Sequence, residues 1–327
     1  MKKLTVNFGT SKYPVYIADN IIKTLQHIPG DLLLITDTNI PKDKITTIQT
    51  QLSPKHTITL PPGENSKSLK TYESIIQTLL EKDFTKSTTI IACGGGVVGD
   101  LSGFIASTFY RGIDYIQIPT TLLAMADSSI GSKVALNINH NKNIIGAFYH
   151  PKAVYIDPTF LTSLPKRHLA NGYAEIIKMA LIKDASLYKA LQDNTIPFET
   201  LITKALTIKK ALVEQDPYDT SQRHLLNYGH TIGHALETHH YPTYLHGECI
   251  ATGMKCMARN TPIESSLTTL FEKYDISTTI PYDKETLFKH IKHDKKRLGE
   301  TITIALVEKP GNGFIKTINI NDIKQYL

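Results

Sequence analysis

The apolar and polar positions of the first half of the chain alternate between short apolar runs and amphipathic stretches. LTVNF (4–8) and YPVYIA (13–18) read as short strands, and DLLLITD (31–37) reads as a buried one. IIQTLLEKDF (75–84) has the spacing of a helix. TTIIAC (88–93) is again a buried strand, followed by three glycines, an amphipathic helix to about Phe109 and a further strand at IDYIQIPT (113–120). Strands separated by helical segments predict a largely parallel sheet covered by helices.

The pattern changes near AVYIDPTFLTSLP (153–165). From Pro165 onward helical periodicity dominates, in KRHLANGYAEIIKMALIKD and FETLITKALTIKKALVEQD, and TITIALVEK (301–309) reads as a late strand. The expected organisation is therefore an α/β N-terminal domain over 1–157 and a mostly α-helical C-terminal domain over 158–327. No flexible spacer separates them, so a ligand cleft between the two is expected.

Composition narrows the class. A length of 327 residues suits two domains, and the 20% charged and 41% apolar content is that of a soluble globular protein. No apolar run reaches the roughly 18 residues that a membrane helix needs. The start, MKKLTVNFGTSKYPVYI, reads as a first strand and not as a secretory signal. Three cysteines without CxxC spacing point to a reducing, cytoplasmic compartment. The net charge of +6 is mild, and the dense basic stretch KHIKHDKKRLGE (289–300) has no interleaved aromatics. It reads as a solvated face or a phosphate contact, with no nucleic-acid partner expected.

Gly94, Gly96 and Gly99 satisfy G-x-G-x-x-G between a strand and a helix. Such glycines permit a tight turn and close backbone approach to a phosphate at a helix N-terminus, although the same pattern also serves helix–strand packing. The ordinary dinucleotide fold places an acidic residue about 20 positions after the loop, at the end of the next strand. Here Asp114 precedes that strand, and the acidic residue that ends a buried strand is Asp37, upstream of the glycines. A nicotinamide site on this chain therefore requires a modified, Rossmann-like sheet.

NGYAEIIKMALI places Glu175 and Lys178 on one helical face, and LLNYGHTIGHALETHH places His230 and His234 one turn apart. YLHGECI adds His246, so five of the 13 histidines fall between residues 230 and 246. One carboxylate and two imidazoles make a three-ligand set for a catalytic divalent cation with open positions for substrate oxygens. Spacing alone does not choose among the histidines. His239 and His240 also suit a helix C-terminus simply through its dipole. Lys133, Lys142 and Asn143, in a loop-rich stretch, and Lys209, Arg223 and Asn227 offer donors for an anionic substrate.

An ordered series of motifs resembles the 3-dehydroquinate synthase family over nearly the whole chain. It comprises PPGENSKSL, GGGVVGDLSGFIASTFYRG, IPTTLLAMADSSIGSKVALN, GYAEIIK, RHLLNYGHTIGHALE, HGE and DKK. The resemblance implies an NAD⁺-binding α/β domain, a helical domain holding Zn²⁺ or Co²⁺, and a homodimer. It puts the metal ligands on Glu175, His230 and His246. NAD⁺ contacts fall on Asp37, Thr38, Asn39, Glu64, Lys67, Gly95, Gly96 and Val97, and further along on Asp100, Thr120, Thr121, Asp127, Lys142, Phe160 and Thr162. Substrate contacts fall on Lys133, Lys142, Asn143, Glu175, Lys178, Lys209, Arg223, Asn227, His234 and Lys295, with Lys296 as the other candidate in DKK. Arg111 matches an arginine that reaches the neighbouring subunit's phosphate pocket. Of these, His234, Lys133, Asn143 and Arg223 are the expected catalytic group, joined by Asp219, which stands where the family usually has glutamate. The segment MARNTPIESS also looks contracted.

The implied reaction takes 3-deoxy-D-arabino-heptulosonate 7-phosphate, a phosphorylated sugar acid, to 3-dehydroquinate and phosphate. Two other readings share parts of this pattern. Another sugar phosphate cyclase, such as a 2-deoxy-scyllo-inosose synthase, would act on a substrate without a carboxylate. A metal-dependent alcohol dehydrogenase of the glycerol type would release NADH stoichiometrically.

Overall fold

The computed structural model describes residues 1–327 apart from residues 10, 27, 140 and 296–298, and apart from the side chains of 293–295. The chain divides into two compact units, Met1–Leu164 and Pro165–Leu327.

The first unit runs β1 (Lys2–Asn7), β2 (Lys12–Ile17), β3 (Leu32–Asp37), α1 (Lys42–Leu52), β4 (His56–Leu60), α2 (Leu69–Glu81), β5 (Thr89–Gly94) and α3 (Gly96–Thr108). It continues with β6 (Asp114–Pro119), β7 (Lys133–Ile138), β8 (Asn141–Phe148) and β9 (Ala153–Ile156). Seven strands form one sheet in the order β1-β2-β9-β6-β5-β3-β4. Only the β1–β2 pair is antiparallel. The apolar runs of β3 and β5 are buried along their length, as strands covered on both faces must be. Leu33, Ile35, Ile90, Leu101, Ile105 and Tyr115 lie at the centre of this core.

Winding sets the site. From β3 the chain moves outward to β4, then returns to lay β5 on the other side of β3 and β6 beyond that. The direction reverses between β3 and β5, and sheets of this kind receive ligands at the carboxyl ends of the strands flanking such a reversal. Asp37 ends β3, and the three glycines follow from the end of β5. The upstream position of the acidic residue is thereby explained: in space its strand is the direct neighbour of the glycine strand.

Lys133–Ile138 and Asn141–Phe148, in a stretch expected to be loop-rich, instead pair as the antiparallel β7–β8 hairpin. Its second strand opens on Asn, Lys and Asn and has no fully buried position, so the short IIGAF run that follows is a weak strand signal. Similarly, α1 buries only Ile48 and Leu52. A stripe that narrow is easily lost among polar residues.

The second unit consists of α4 (Lys166–Lys183), α5 (Ala185–Asp193), α6 (Phe198–Gln215), α7 (His230–His240), α8 (His246–Ala258), α9 (Glu264–Lys273), α10 (Lys284–Lys295) and the antiparallel hairpin β10 (Thr301–Lys309) and β11 (Asn312–Asn319). Among the described residues, no helix is long and apolar enough to cross a membrane. α4 is buried on nearly every side from Ala170 to Ile182, the signature of a central helix. Glu175 and Lys178 lie inside that stretch, and ionised groups are rarely buried so deeply without a special purpose.

Two close approaches bring α7 and α8 to this helix. A Cβ on Gly247 would stand 2.3 Å from the Asn171 carbonyl oxygen, so only glycine lets the start of α8 meet α4. A Cβ on Gly253 would stand 2.1 Å from the Gly229 carbonyl oxygen, which puts α8 in backbone contact with the start of α7. Arg167 closes the arrangement from the first turn of α4. Its Nε donates to Glu248 Oε1 at 2.7 Å and its Nη2 to Glu248 Oε2 at 2.8 Å.

Candidate active site

Within the second unit, Glu175 projects from α4 toward the first residues of α7 and α8. Its Oε1 lies 3.5 Å from His230 Nε2 and 3.5 Å from His246 Nε2. Neither carboxylate oxygen has a hydrogen bond of ordinary geometry, although Lys178 Nζ is ion-paired with Oε2 one turn along. Burial alone would raise the pKa of Glu175, but Lys178, His230 and His246 together hold it well below the usual carboxylate range. His230 is held neutral well below its ordinary pKa, by burial first and then by Lys178. Burial works against a charge on His246 as well, yet the carboxylates of Glu237 and Glu175 outweigh it and raise its pKa.

The donor set fits a divalent cation. Ligand atoms bound tetrahedrally at about 2.0–2.2 Å from Zn²⁺ stand about 3.3 Å apart, close to the separations found here. The Nδ1 atoms are engaged elsewhere, on the Tyr228 carbonyl oxygen at 3.2 Å for His230 and on Glu237 Oε2 at 3.1 Å for His246. In their neutral, Nδ1-protonated forms both imidazoles turn an Nε2 lone pair toward Glu175. His234 belongs to the same cluster: its ligand atom and those of His230 and His246 all lie within 4.8 Å of one another. Two overlapping triads therefore exist, one with Glu175 and one with His234. We favour the first, because Glu175 is fully buried without a hydrogen bond whereas His234 is exposed.

Lys178, Lys209 and Arg223 are all buried. Arg223 follows a loop built on Asp216, whose carboxylate accepts the backbone N–H groups of Thr220 at 3.0 Å, Ser221 at 2.6 Å and Arg223 at 3.1 Å. Asp219 sits in that loop with a left-handed backbone, φ 60°. Asn227 ends the short helical turn Gln222–Asn227, in which Arg223 is the second residue. Lys295 is the last residue of α10, but its side chain, like Lys296 and much of the basic stretch 289–300, lies outside the described residues.

In the first unit, Asp37 accepts the Asn39 N–H at 2.8 Å, with Thr38 between them on the β3 end. Burial raises the pKa of its carboxyl, and that hydrogen bond partly opposes the rise. Gly95 caps α3 without any side-chain hydrogen bond to the helix, and Gly96 and Val97 begin it. A Cβ on Gly95 or Gly96 would meet only side chains, Thr121 at 3.1 Å and Ser128 at 3.2 Å. Gly94 and Gly103 are different. There a Cβ would strike Val98 at 2.5 Å and Val134 at 2.4 Å, so packing requires those two glycines. Thr120 and Thr121 follow β6, Asp127 lies in the next helical turn, and Phe160 and Thr162 lie in the turn after β9. Arg111 sits just beyond α3 with φ 61°.

A polar network joins Glu64, Lys67, Asp100, Asn137 and Asn143 in this unit. Buried Lys67 reaches both Asp100 Oδ2 and Asn143 Oδ1. Asn137 donates to Glu64 Oε2 at 2.7 Å and accepts the Asn143 N–H at 2.9 Å, with Asn143 in a left-handed conformation. Lys133 opens β7 and Lys142 lies in β8. Asn137 and Glu237 were not singled out from sequence. The signal for Glu237 was present, since it stands seven residues after His230 on the same helical face.

Two family models match in succession, the 3-dehydroquinate synthase N-terminal model over residues 57–171 and the C-terminal model over 172–297. The 3-dehydroquinate synthase of Clostridium kluyveri is 37% identical over an alignment that covers 100% of this chain and 98% of that protein. The chain belongs to the 3-dehydroquinate synthase family. Among solved structures, a 2-deoxy-scyllo-inosose synthase complexed with carbaglucose-6-phosphate, NAD⁺ and Co²⁺ superposes with a TM-score of 0.86 at 25% identity, covering 99% of each chain. The 2-epi-5-epi-valiolone synthase of Streptomyces hygroscopicus subsp. jinggangensis, with NAD⁺ and Zn²⁺ bound, gives 0.87 at 22% identity, covering 96% of this chain and 95% of that one. The second of these likenesses speaks to fold alone.

Proposed function

We propose that this chain performs its family's reaction, converting 3-deoxy-D-arabino-heptulosonate 7-phosphate into 3-dehydroquinate and inorganic phosphate. The route is transient oxidation at C5, β-elimination of phosphate, return of the hydride, ring opening and intramolecular aldol closure. The observation that carries the proposal is the buried Glu175 carboxylate facing two imidazole Nε2 atoms at 3.5 Å, in a chain that matches both halves of the family. When bound, NAD⁺ supplies the hydride acceptor and donor at C5, and Zn²⁺ or Co²⁺ supplies a Lewis acid for the hydroxyl oxygens there.

The chain's own groups bind and orient. Glu175, His230 and His246 would hold the cation. Asp37 would accept from a ribose hydroxyl of the dinucleotide, and the uncapped start of α3 at Gly95, Gly96 and Val97 would face its pyrophosphate. Thr38, Asn39, Glu64, Lys67, Asp100, Thr120, Thr121, Asp127, Lys142, Phe160 and Thr162 complete that set. Lys178, Lys209, Arg223, Asn227 and Lys295 would hold the substrate's carboxylate, hydroxyls and phosphate. In this reading the substrate's own phosphate takes the neighbouring C6 proton once C5 is a ketone, because that ketone acidifies it. Lys133, Asn143, Arg223 and His234 would fix the phosphate in the conformation that permits this transfer. Asp219 would serve where the family has glutamate, and Arg111 would complete the phosphate pocket of a second subunit in a homodimer.

The test is to incubate the protein with substrate, Zn²⁺ and a catalytic amount of NAD⁺ while following phosphate, ring product and absorbance at 340 nm. Equal amounts of phosphate and ring product with no net NADH are expected. Stoichiometric NADH would instead indicate a dehydrogenase, and neither product would overturn the proposal.

A further inference from the structure

We propose that Glu237 is a positioning residue for the metal centre, acting through His246 and touching neither cation nor substrate. This rests on the reading of Glu175, His230 and His246 as the ligands.

Glu237 lies on α7 two turns after His230, so one helical face carries both. It is buried, 8% exposed, and a carboxylate so placed needs a donor. His246 Nδ1 is 3.1 Å from its Oε2. In the neutral form that binds a cation, an imidazole that gives its Nδ1 proton to a carboxylate presents its lone pair at Nε2. That atom is the one 3.5 Å from Glu175 Oε1. His246 is the first residue of α8, and its ring also lies against those of His230 and His234, with centroids 5.5 and 5.7 Å away. The Glu237 contact fixes both its tautomer and its ring plane. His230 receives the same tautomer from the Tyr228 carbonyl, a neutral acceptor. Of the two ligand imidazoles, His246 alone is therefore backed by a charge, which strengthens its basicity toward a cation.

The experiment measures Zn²⁺ and Co²⁺ affinity by competition with a chromophoric chelator, on the full chain and on Glu237→Gln, His246→Ala and the double variant. The Co²⁺ absorption spectrum and the melting temperature of the metal-free protein are recorded alongside. Glu237→Gln is expected to raise the metal Kd by about 10- to 100-fold, to alter the Co²⁺ bands, and to leave the metal-free melting temperature nearly unchanged. On the His246→Ala background the same substitution is expected to add nothing. A folded Glu237→Gln protein with a Kd within twofold of wild type overturns the proposal, as does an equal further loss on the His246→Ala background. If Glu237→Gln does not fold, Glu237→Asp keeps the charge but draws the oxygen back by one methylene; it should weaken binding by a smaller factor, and unchanged affinity overturns the proposal. A wild-type chain that binds neither cation would refute the ligand reading itself, which wild-type data alone reveal.

Discussion

The Cα of Gly253 stands against the carbonyl oxygen of Gly229 so closely that a Cβ on Gly253 would lie 2.1 Å from that oxygen. This contact fixes the distance between α7 and α8, and with it the separation of His230 from His246. The obstacle is backbone, so no side-chain rotation relieves it. Gly253→Ala is expected to destabilise the protein by about 2–3 kcal/mol and to weaken metal binding with it. Thermal denaturation with and without Zn²⁺ checks this, and a variant as stable as wild type would contradict the packing argument.

Glu175→Gln and His234→Ala separate the two overlapping triads. Glu175→Gln removes the charge that faces two imidazoles and is expected to lower metal content severely and activity with it. His234→Ala is expected to slow turnover while metal content stays near wild type. Metal analysis of both purified variants decides, and loss of zinc from His234→Ala would move His234 into the ligand set.

Asp37→Asn preserves the shape of the β3 end but removes the charge offered to a ribose hydroxyl. Loss of one charge-assisted hydrogen bond is expected to raise the NAD⁺ Kd by about 10-fold or more, with a melting temperature close to wild type. Gly95→Ala should act similarly, because its Cβ meets only the Thr121 side chain at 3.1 Å yet covers the backbone a pyrophosphate would approach. Titration of NADH fluorescence measures both, and unaltered affinity in the two variants would remove the dinucleotide from this strand reversal.

Asp216 gives the pH prediction. Burial opposes its ionisation, but three backbone N–H donors hold its carboxyl well below the usual range. A depressed folded-state pKa contributes stability above the unfolded value of about 3.9 and loses it as pH falls toward the folded one. Asp216→Asn should therefore be less stable than wild type at neutral pH, with the gap closing below about pH 4. Its loop carries Arg223, so KM for the phosphorylated substrate should rise more than kcat falls. Denaturant melts at several pH values check the first claim. A gap that is constant with pH would sink it.

The sequence by itself determined the elements that are buried and continuous. The runs of β3, β5 and β6 are apolar because both faces of them are covered, and α3, α4 and α6 repeat apolar residues on the faces they bury; both patterns are visible in one dimension. It also supplied the candidates for the site, since Glu175, Lys178, His230 and His246 lie in motifs whose order marks the family. Polar or thin elements left no such trace, and the β7–β8 hairpin and α1 emerged only when folded. Only the tertiary structure decided which atoms face each other. Asp37 precedes the glycines in the chain yet borders them in the sheet, because winding reverses between β3 and β5. Glu237 meets His246 because glycines at 229, 247 and 253 let three helices touch through their backbones. Sequence spacing reports proximity within one helix or strand, whereas contact between elements depends on close packing that no local pattern encodes.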